Sequence, residues 1–265
     1  MKKYKTFVIN LANATERRKN IEKQLKNLDI EYEIIDAIYG KDLNKESPLA
    51  HLVDWEWADA NAFWVSKGLL ACTLSHLKAC KAVIEQNLDY GLILEDDTWL
   101  TSEIPIFLEQ VGTYLQQDEA ILLYYSAWNK CTLSTKNALQ LSKMPKIRIL
   151  YPTKNLEIIT ANAYILSREA CQKLIDFQTP MKATSDSWKV FMDNGAIQQI
   201  RCTYPFLAKA ADFKSTIDYI DNNSWKGKVL NWIDKYKIPI IYQYLKYRRR
   251  KLREVMLNIE LVDYE

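Results

Sequence analysis

The chain has 265 residues, 48% hydrophobic and 26% charged, with 16 Tyr and 8 Trp but only 6 Gly and 7 Pro. That balance fits one large globular domain, or one and a half, and excludes a disordered chain, a fibrous repeat and a propeller. The net charge of +3 is uneven: residues 225–265 hold ten Lys/Arg against five Asp/Glu, so this tail carries +5 and residues 1–224 carry −2.

Nucleic acid is not expected as a partner, because the basic excess belongs to the tail and not to the body. Five cysteines (72, 80, 131, 171, 202) with no CxxC spacing suggest reduced thiols and an intracellular home. The opening Met1-Lys2-Lys3-Tyr4 leads into only a short apolar stretch, and no apolar run reaches membrane-spanning length. The expected location is cytoplasmic, at most peripheral on a membrane.

In chain order, Thr6 to Leu11 reads as a buried first strand, followed by a polar loop with Arg17 and Arg18. Thr15 or Asn13 would cap a helix with Ile21, Leu25 and Leu28 at helical spacing, broken at Asp29. Ile30 to Ile35 alternates as a second strand and ends at Asp36-Ala37, with Gly40 soon after. This is β-α-β, the opening of a nucleotide-binding α/β fold. The Arg pair stands where a phosphate would lie, and a planar guanidinium suits phosphate. A solvated first helical turn explains the pair equally well. There is no G-x-G-x-x-G and no Walker A sequence.

Residues 41–67 are polar and Trp-rich without a clear period, so a long loop with a short helix is expected, of the kind that can act as a lid. Gly68 opens a strong helix over about 69–86. Cys72 and His76 are four apart and share a face of it. A zinc site needs two further ligands, and no second pair with such spacing follows, so zinc is not expected. A core histidine, bonded to backbone or supporting a nearby carboxylate, is the expected role of His76.

Leu92-Ile93-Leu94 then reads as a buried strand that ends at once in Glu95-Asp96-Asp97. Open α/β sheets place ligands beyond the carboxyl ends of their strands. Three adjacent carboxylates need a counter-charge, and a hard divalent cation, Mn²⁺ or Mg²⁺, carrying substrate phosphates would supply it. Taken alone, such a run is as often a solvated acidic turn.

Helix is expected over 104–115, strand over 120–125, and a hairpin or surface excursion over 129–146. Strands are expected at 147–151, 158–159 and 161–167, and a helix over 168–177 with Ser167 as N-cap. Asp186 stands at another helix start, as an N-cap or as a catalytic base. Ile200 to Tyr204 is a last strand, ended by Pro205. The tail reads as helix over about 225–260 with a break at Pro239. Its Ile, Leu and Tyr residues interleave with Lys and Arg, which suits an anionic membrane surface, a partner subunit or simple docking on the domain.

The segments together resemble glycosyltransferase family 25. The resemblance is carried by Val8-Ile9-Asn10-Leu11 with Glu16-Arg17-Arg18, by Ile35-Asp36-Ala37 with Gly40, and by Gly68-x3-Cys72-x-Leu74-Ser75-His76. It continues through Leu92-Ile93-Leu94-Glu95-Asp96-Asp97 and Ala163-Tyr164-Ile165-Leu166-Ser167, in order, over most of residues 6–217. It implies a GT-A-like α/β domain over 1–224, Rossmann-like in its first half, with a mostly parallel central sheet, followed by a basic helical tail over 225–265.

The activity implied is inverting transfer of a sugar, often galactose, from a UDP-sugar to a lipid-linked oligosaccharide of lipooligosaccharide or lipopolysaccharide, usually with Mn²⁺. Asp97 with Glu95 would hold the metal. Asp96 would contact the ribose or the donor sugar, and Arg17 or Arg18 would approach the nucleotide. Asp36, Ser75 and His76 would join the donor-binding set. Inversion needs a base opposite the leaving group, for which Asp186 is the candidate and Asp193 and Asp212 the rivals. No His follows His76, so a further metal ligand would have to be an oxygen such as Asp212 or Asp218. A metal-dependent phosphohydrolase or nucleotidyltransferase, and a non-catalytic membrane-docking protein, are the competing readings.

Overall fold

The computed structural model describes residues 2–128, 130–153, 158–211, 229, 232–233, 235–239 and 241–263. Its first half is built as the hydrophobic pattern predicts. Strand β1 (Tyr4–Asn10), helix α1 (Thr15–Asn27) and strand β2 (Tyr32–Asp36) form the opening β-α-β unit, with β1 and β2 parallel. Asp29 ends the first helical segment at φ 53, a left-handed conformation that Asp tolerates better than most residues. Neither Thr15 nor Asn13 caps α1: Ala14 holds that place without a side-chain bond.

Helix α3 (Lys67–Glu85) starts at Ser66, whose hydroxyl accepts the Leu69 N–H at 3.3 Å. It runs back to strand β3 (Tyr90–Glu95), which lies parallel to β1 on the side away from β2. The apolar runs of β1 and β3 are continuous because both faces of this sheet are covered. Phe7, Ile9 and Ile93 pack on one side with Ala79 and Val83 of α3. Val8, Leu92 and Leu94 pack on the other, with Ile21 and Leu25 of α1 and with Phe107 and Val111 of α4 (Ile104–Tyr114).

The second half continues with β5 (Glu119–Ala127), β6 (Cys131–Leu141), β7 (Met144–Pro152), β8 (Ile158–Ser167), α5 (Arg168–Phe177), α6 (Trp188–Asp193) and β9 (Gln199–Tyr204). Among the described residues, nine strands, the last in the chain being β11 (Ile259–Val262), make one sheet in the order β11-β6-β7-β9-β5-β8-β3-β1-β2. The sheet is mixed, which corrects the expectation of a mostly parallel one. Four of its strand pairings are parallel and four antiparallel. The reasons are local. Strand β8 inserts antiparallel between β3 and β5. The 129–146 stretch is the hairpin option, and β6 and β7, joined by two residues, can only be antiparallel. Ser167 caps α5 as expected, accepting from Ala170 N at 3.1 Å.

Three short strands lie outside the sequence expectation. Strand β4 (Thr98–Leu100), directly after the acids, pairs with β10 (Ala208–Ala210). In the tail, helix α7 (Ile241–Met256) begins just past Pro239 but stops short of residue 260. Ile259–Val262 alternates at period 2 and forms β11, parallel to β6, with Ile259 and Leu261 packed against the main core.

Residues 41–67 hold the short helix α2 (Trp55–Ala60) and two single 3-10 turns. They are pinned by their own small core, in which Leu43, Val53, Ala58 and Val65 meet Leu70, Ala71 and Leu74 of α3. A close backbone approach fixes where this segment leaves the sheet. A Cβ at Gly40 would lie 2.9 Å from both the Cα and the amide N of Gly68. Gly40→Ala is therefore expected to cost about 1–3 kcal/mol, as overpacking against rigid backbone does, read by urea denaturation. Wild-type stability in that variant would mean that the two backbones need not touch.

Candidate active site

Strands β1, β2 and β3 are parallel and end at one edge of the sheet. Asn10 is in register with Asp36, and Ile9 with Glu95. The chain turns immediately after Glu95, so Asp96 and Asp97 fall above Asn10 and the first turn of α1. Asp96 is 6% exposed, and both of its oxygens are bonded: Asn10 Nδ2 donates to Oδ2 at 2.7 Å and Arg17 to Oδ1 at 2.8 Å. The same guanidinium nitrogen lies 3.2 Å from Asp97 Oδ2. Asp97 Oδ1 accepts from Asn162 Nδ2 at 2.8 Å, and the Thr98 hydroxyl is 3.0 Å from Asn162 Oδ1.

The electrostatics follow from this crowding. Burial, then Glu95 and Asp96, push the Asp97 carboxyl up to about 7, against the pull of Arg17 and Asn162. Burial also raises Asp96, although Arg17 and Asn10 oppose it. Among the described residues Arg17 is shared by Asp96 and Asp97, and Glu95 meets His76, so the cluster has room for further positive charge. Oxygen donors on Glu95 and Asp97 match a hard cation such as Mn²⁺ or Mg²⁺, so the residues present fit the implied ion.

Helix α3 flanks the cluster. His76 Nε2 lies 3.5 Å from Glu95 Oε1, and His76 Nδ1 lies 2.7 Å from the Tyr164 hydroxyl. The histidine is thus buried and supports a carboxylate. The Ser75 hydroxyl is committed to backbone, accepting from Ile38 N at 2.8 Å and donating to Ala71 O at 2.7 Å. It ties the exit of β2 to α3.

Asp186 is brought towards the same place. Its neighbour Ser185 docks on α3, with Ser185 N accepted by Thr73 Oγ1 at 3.0 Å. Ser185 Oγ stands 3.9 Å from Cys72 Sγ. Desolvation drives the thiol of this half-buried residue well up, and Glu95, Asp186 and Asp97 add to the rise against the pull of Ser185. Asp186 is not an N-cap: Thr184 Oγ1 donates to Oδ1 at 2.9 Å and Thr160 N to Oδ2 at 3.4 Å, while Ser187 precedes α6.

Other expected site residues stand elsewhere. Arg18 pairs with Glu22 at 3.1 Å along α1. Asp36 is exposed at the end of β2, its carbonyl accepting from Lys78 Nζ. Asp193 pairs with Lys189 on α6. Asp212 and Asp218 lie outside the described residues, although Ala211 N donates to Asp97 O at 2.7 Å. Asn10, Asn162 and Tyr164 belong to the site and were not singled out. Each is a polar residue inside an apolar strand run, and that was the signal for them.

Residues 3–188 match the family described as "Glycosyltransferase family 25 (LPS biosynthesis protein)". The chain belongs to glycosyltransferase family 25. Among its relatives in this family, Procollagen galactosyltransferase 1-A of Xenopus laevis is 34% identical over 95 residues, 34% of this chain and 15% of that protein. Lipooligosaccharide biosynthesis protein lic2B of Haemophilus influenzae is 27% identical over 174 residues, 63% of this chain and 61% of that protein. Inactive glycosyltransferase 25 family member 3 of Mus musculus is 29% identical over 134 residues, 49% of this chain and 22% of that protein. The chain thus spans less than two thirds of each of these relatives. A solved glycosyltransferase involved in glycosylation of the major capsid of PBCV-1 superposes with a TM-score of 0.34 at 6% identity, over 75% of this chain and 80% of that one. That likeness is too slight to bear on the fold.

Proposed function

We propose that this family 25 glycosyltransferase is an inverting enzyme that moves a sugar, galactose in the first instance, from a UDP-sugar to a saccharide acceptor of lipooligosaccharide or lipopolysaccharide. One observation carries the reading: a buried Arg17–Asp96 pair, with Glu95 and Asp97 on either side of Asp96, stands at the carboxyl edge of three parallel strands. A divalent cation bound there, Mn²⁺ or Mg²⁺, would supply the charge that offsets the departing diphosphate.

The chain's own residues divide the rest of the work. Glu95 and Asp97 would hold the ion through their carboxylate oxygens, Asp97 in its ionised form. Arg17 and Asn162 fix the rotamer of Asp97. Asp186 takes the proton of the acceptor hydroxyl as that oxygen bonds to the anomeric carbon. The bond from that carbon to the diphosphate oxygen breaks on the opposite face, and UDP leaves with the electron pair. Asp186→Asn is accordingly expected to lower kcat at least ~100-fold with little change in KM for the donor. A variant with wild-type kcat would remove Asp186 from the role.

The test of the whole reading is incubation with UDP-galactose, Mn²⁺ and a truncated lipooligosaccharide, with the product read by NMR. A β-linked product from the α-linked donor supports it. Release of UMP and galactose 1-phosphate without acceptor would favour the phosphohydrolase, and no turnover of any UDP-sugar would favour a non-catalytic role.

The tail fits a lipid-linked acceptor. Ile241, Tyr244, Leu252 and Val255 are exposed and share one face of α7, beside exposed Lys246, Arg248, Arg250 and Lys251. No helix among the described residues is long and apolar enough to cross a membrane. We propose that α7 rests on an anionic membrane surface. Leu252→Asp with Val255→Asp should then reduce co-sedimentation with phosphatidylglycerol vesicles and spare transfer to a lipid-free acceptor. Unchanged vesicle binding would contradict that role.

A further inference from the structure

We infer that Cys72, His76 and Glu95 form a second cation site, one for a thiophilic divalent ion such as Zn²⁺, distinct in chemistry from the all-oxygen site at Asp97. Sequence spacing alone argued against zinc because only two ligands were in view. The fold supplies the third by laying the end of β3 against the middle of α3. One ligand atom from each of the three residues lies within 4.8 Å of the others. The separation of 3.5 Å between His76 Nε2 and Glu95 Oε1 is close to the ~3.3 Å expected for two ligands at ~2.05 Å from a tetrahedral zinc. The sulfur needs ~3.6 Å from each of them on the same basis, so the 4.8 Å limit leaves at most about an ångström for a cysteine rotamer to close.

An independent observation points the same way. His76 is 3% exposed, and its Nε2 has no hydrogen-bond partner. A buried imidazole nitrogen without a partner is costly, and this one is aimed at Glu95. The other nitrogen, Nδ1, meets the Tyr164 hydroxyl at 2.7 Å, and Tyr164 is held by edge contact with Trp188. With the Nδ1 proton given to Tyr164 Oη, Nε2 carries the lone pair. That is how ligating histidines are commonly oriented by their outer partner.

The charges also balance. Binding releases the thiol proton of Cys72 to solvent. One thiolate, one carboxylate and a neutral imidazole then neutralise a divalent ion, which suits a half-buried place. Cys72 and Glu95 are both partly exposed, and water or a ligand would take the fourth position. Because Glu95 also serves the donor-side ion in the transferase reading, a bound Zn²⁺ would compete for it. That consequence rests on the transferase reading, whereas the site itself does not.

The test is titration of metal-free protein with Co²⁺ alone. The expected result is a thiolate-to-cobalt charge-transfer band that saturates at one equivalent, is displaced by Zn²⁺ and is lost in Cys72→Ser, with roughly tenfold or more weaker Co²⁺ binding in Glu95→Gln. Absence of the band in the wild type, or its persistence in Cys72→Ser, would overturn the proposal. Should Cys72→Ser fail to fold, alkylation of wild-type protein by iodoacetamide decides, read by peptide mass spectrometry. Cys72 is the one cysteine of the five that is not buried. Zn²⁺ should slow its modification about tenfold or more, and an unchanged rate would overturn the site. Mn²⁺-dependent binding of UDP is read separately, in Cys72→Ser without Zn²⁺, where Glu95 and Asp97 are both intact, so failure of one reading does not decide the other.

Discussion

Replacing Arg17 by methionine is expected to lower stability by about 3–5 kcal/mol, a fall of roughly 6–20 °C in Tm. The reason is what stays behind. The Arg17 side chain is 11% exposed and that of Asp96 is 9% exposed, and they meet at 2.8 Å. Without the guanidinium, Asp96 keeps one hydrogen-bond donor among the described residues, the Asn10 amide, and still stands beside Glu95 and Asp97. A buried carboxylate that has lost its partner costs far more than the intact pair contributes. The same logic makes the loss reversible by design. Arg17→Met combined with Asp96→Asn removes both charges and should recover more than half of the stability. If the double variant is as unstable as the single one, the pair is not what Arg17 stabilises.

Asp97→Asn should abolish Mn²⁺-dependent UDP binding and transfer, and should also change how stability depends on pH. The Asp97 carboxyl, held up to about 7 by burial and by Glu95, lies above its unfolded value of about 3.9. Between those values the folded chain binds more proton than the unfolded chain, so this group's contribution to stability falls as pH rises from about 4 to about 7 and is flat above. At ~1.4 kcal/mol per unit the effect is at most about 4 kcal/mol, and sharing of charge among the three acids reduces it. The metal-free wild type should therefore lose Tm relative to Asp97→Asn as pH is raised from 5 to 8. Parallel profiles would mean that Asp97 is ionised throughout.

The β-α-β opening, the α3 helix and the acid-bearing strand were legible because each carries a strong period or a cap. The mixed sheet was not. An apolar run such as Ala161–Ser167 reads the same whether its neighbours run parallel or antiparallel, and direction was decided by β8 inserting between β3 and β5. Strand β11 was hidden because four residues after a long helix carry too little pattern to stand out. At the site, the triple acid was visible, but the division among its members was not. Asp96 turns inward as the partner of Arg17, whereas Glu95 and Asp97 remain partly accessible. That split depends on Asn10 and Asn162, which strand pairing brings from residues far apart in the chain.

The most direct measurement is a thermal shift with UDP, with and without Mn²⁺, on wild type and Asp97→Ala. The account predicts a rise of roughly 5–10 °C for saturating ligand that requires both components and disappears in Asp97→Ala. No shift in the wild type with UDP and Mn²⁺ together, or an undiminished shift in Asp97→Ala, would contradict a nucleotide site at the carboxyl end of β3.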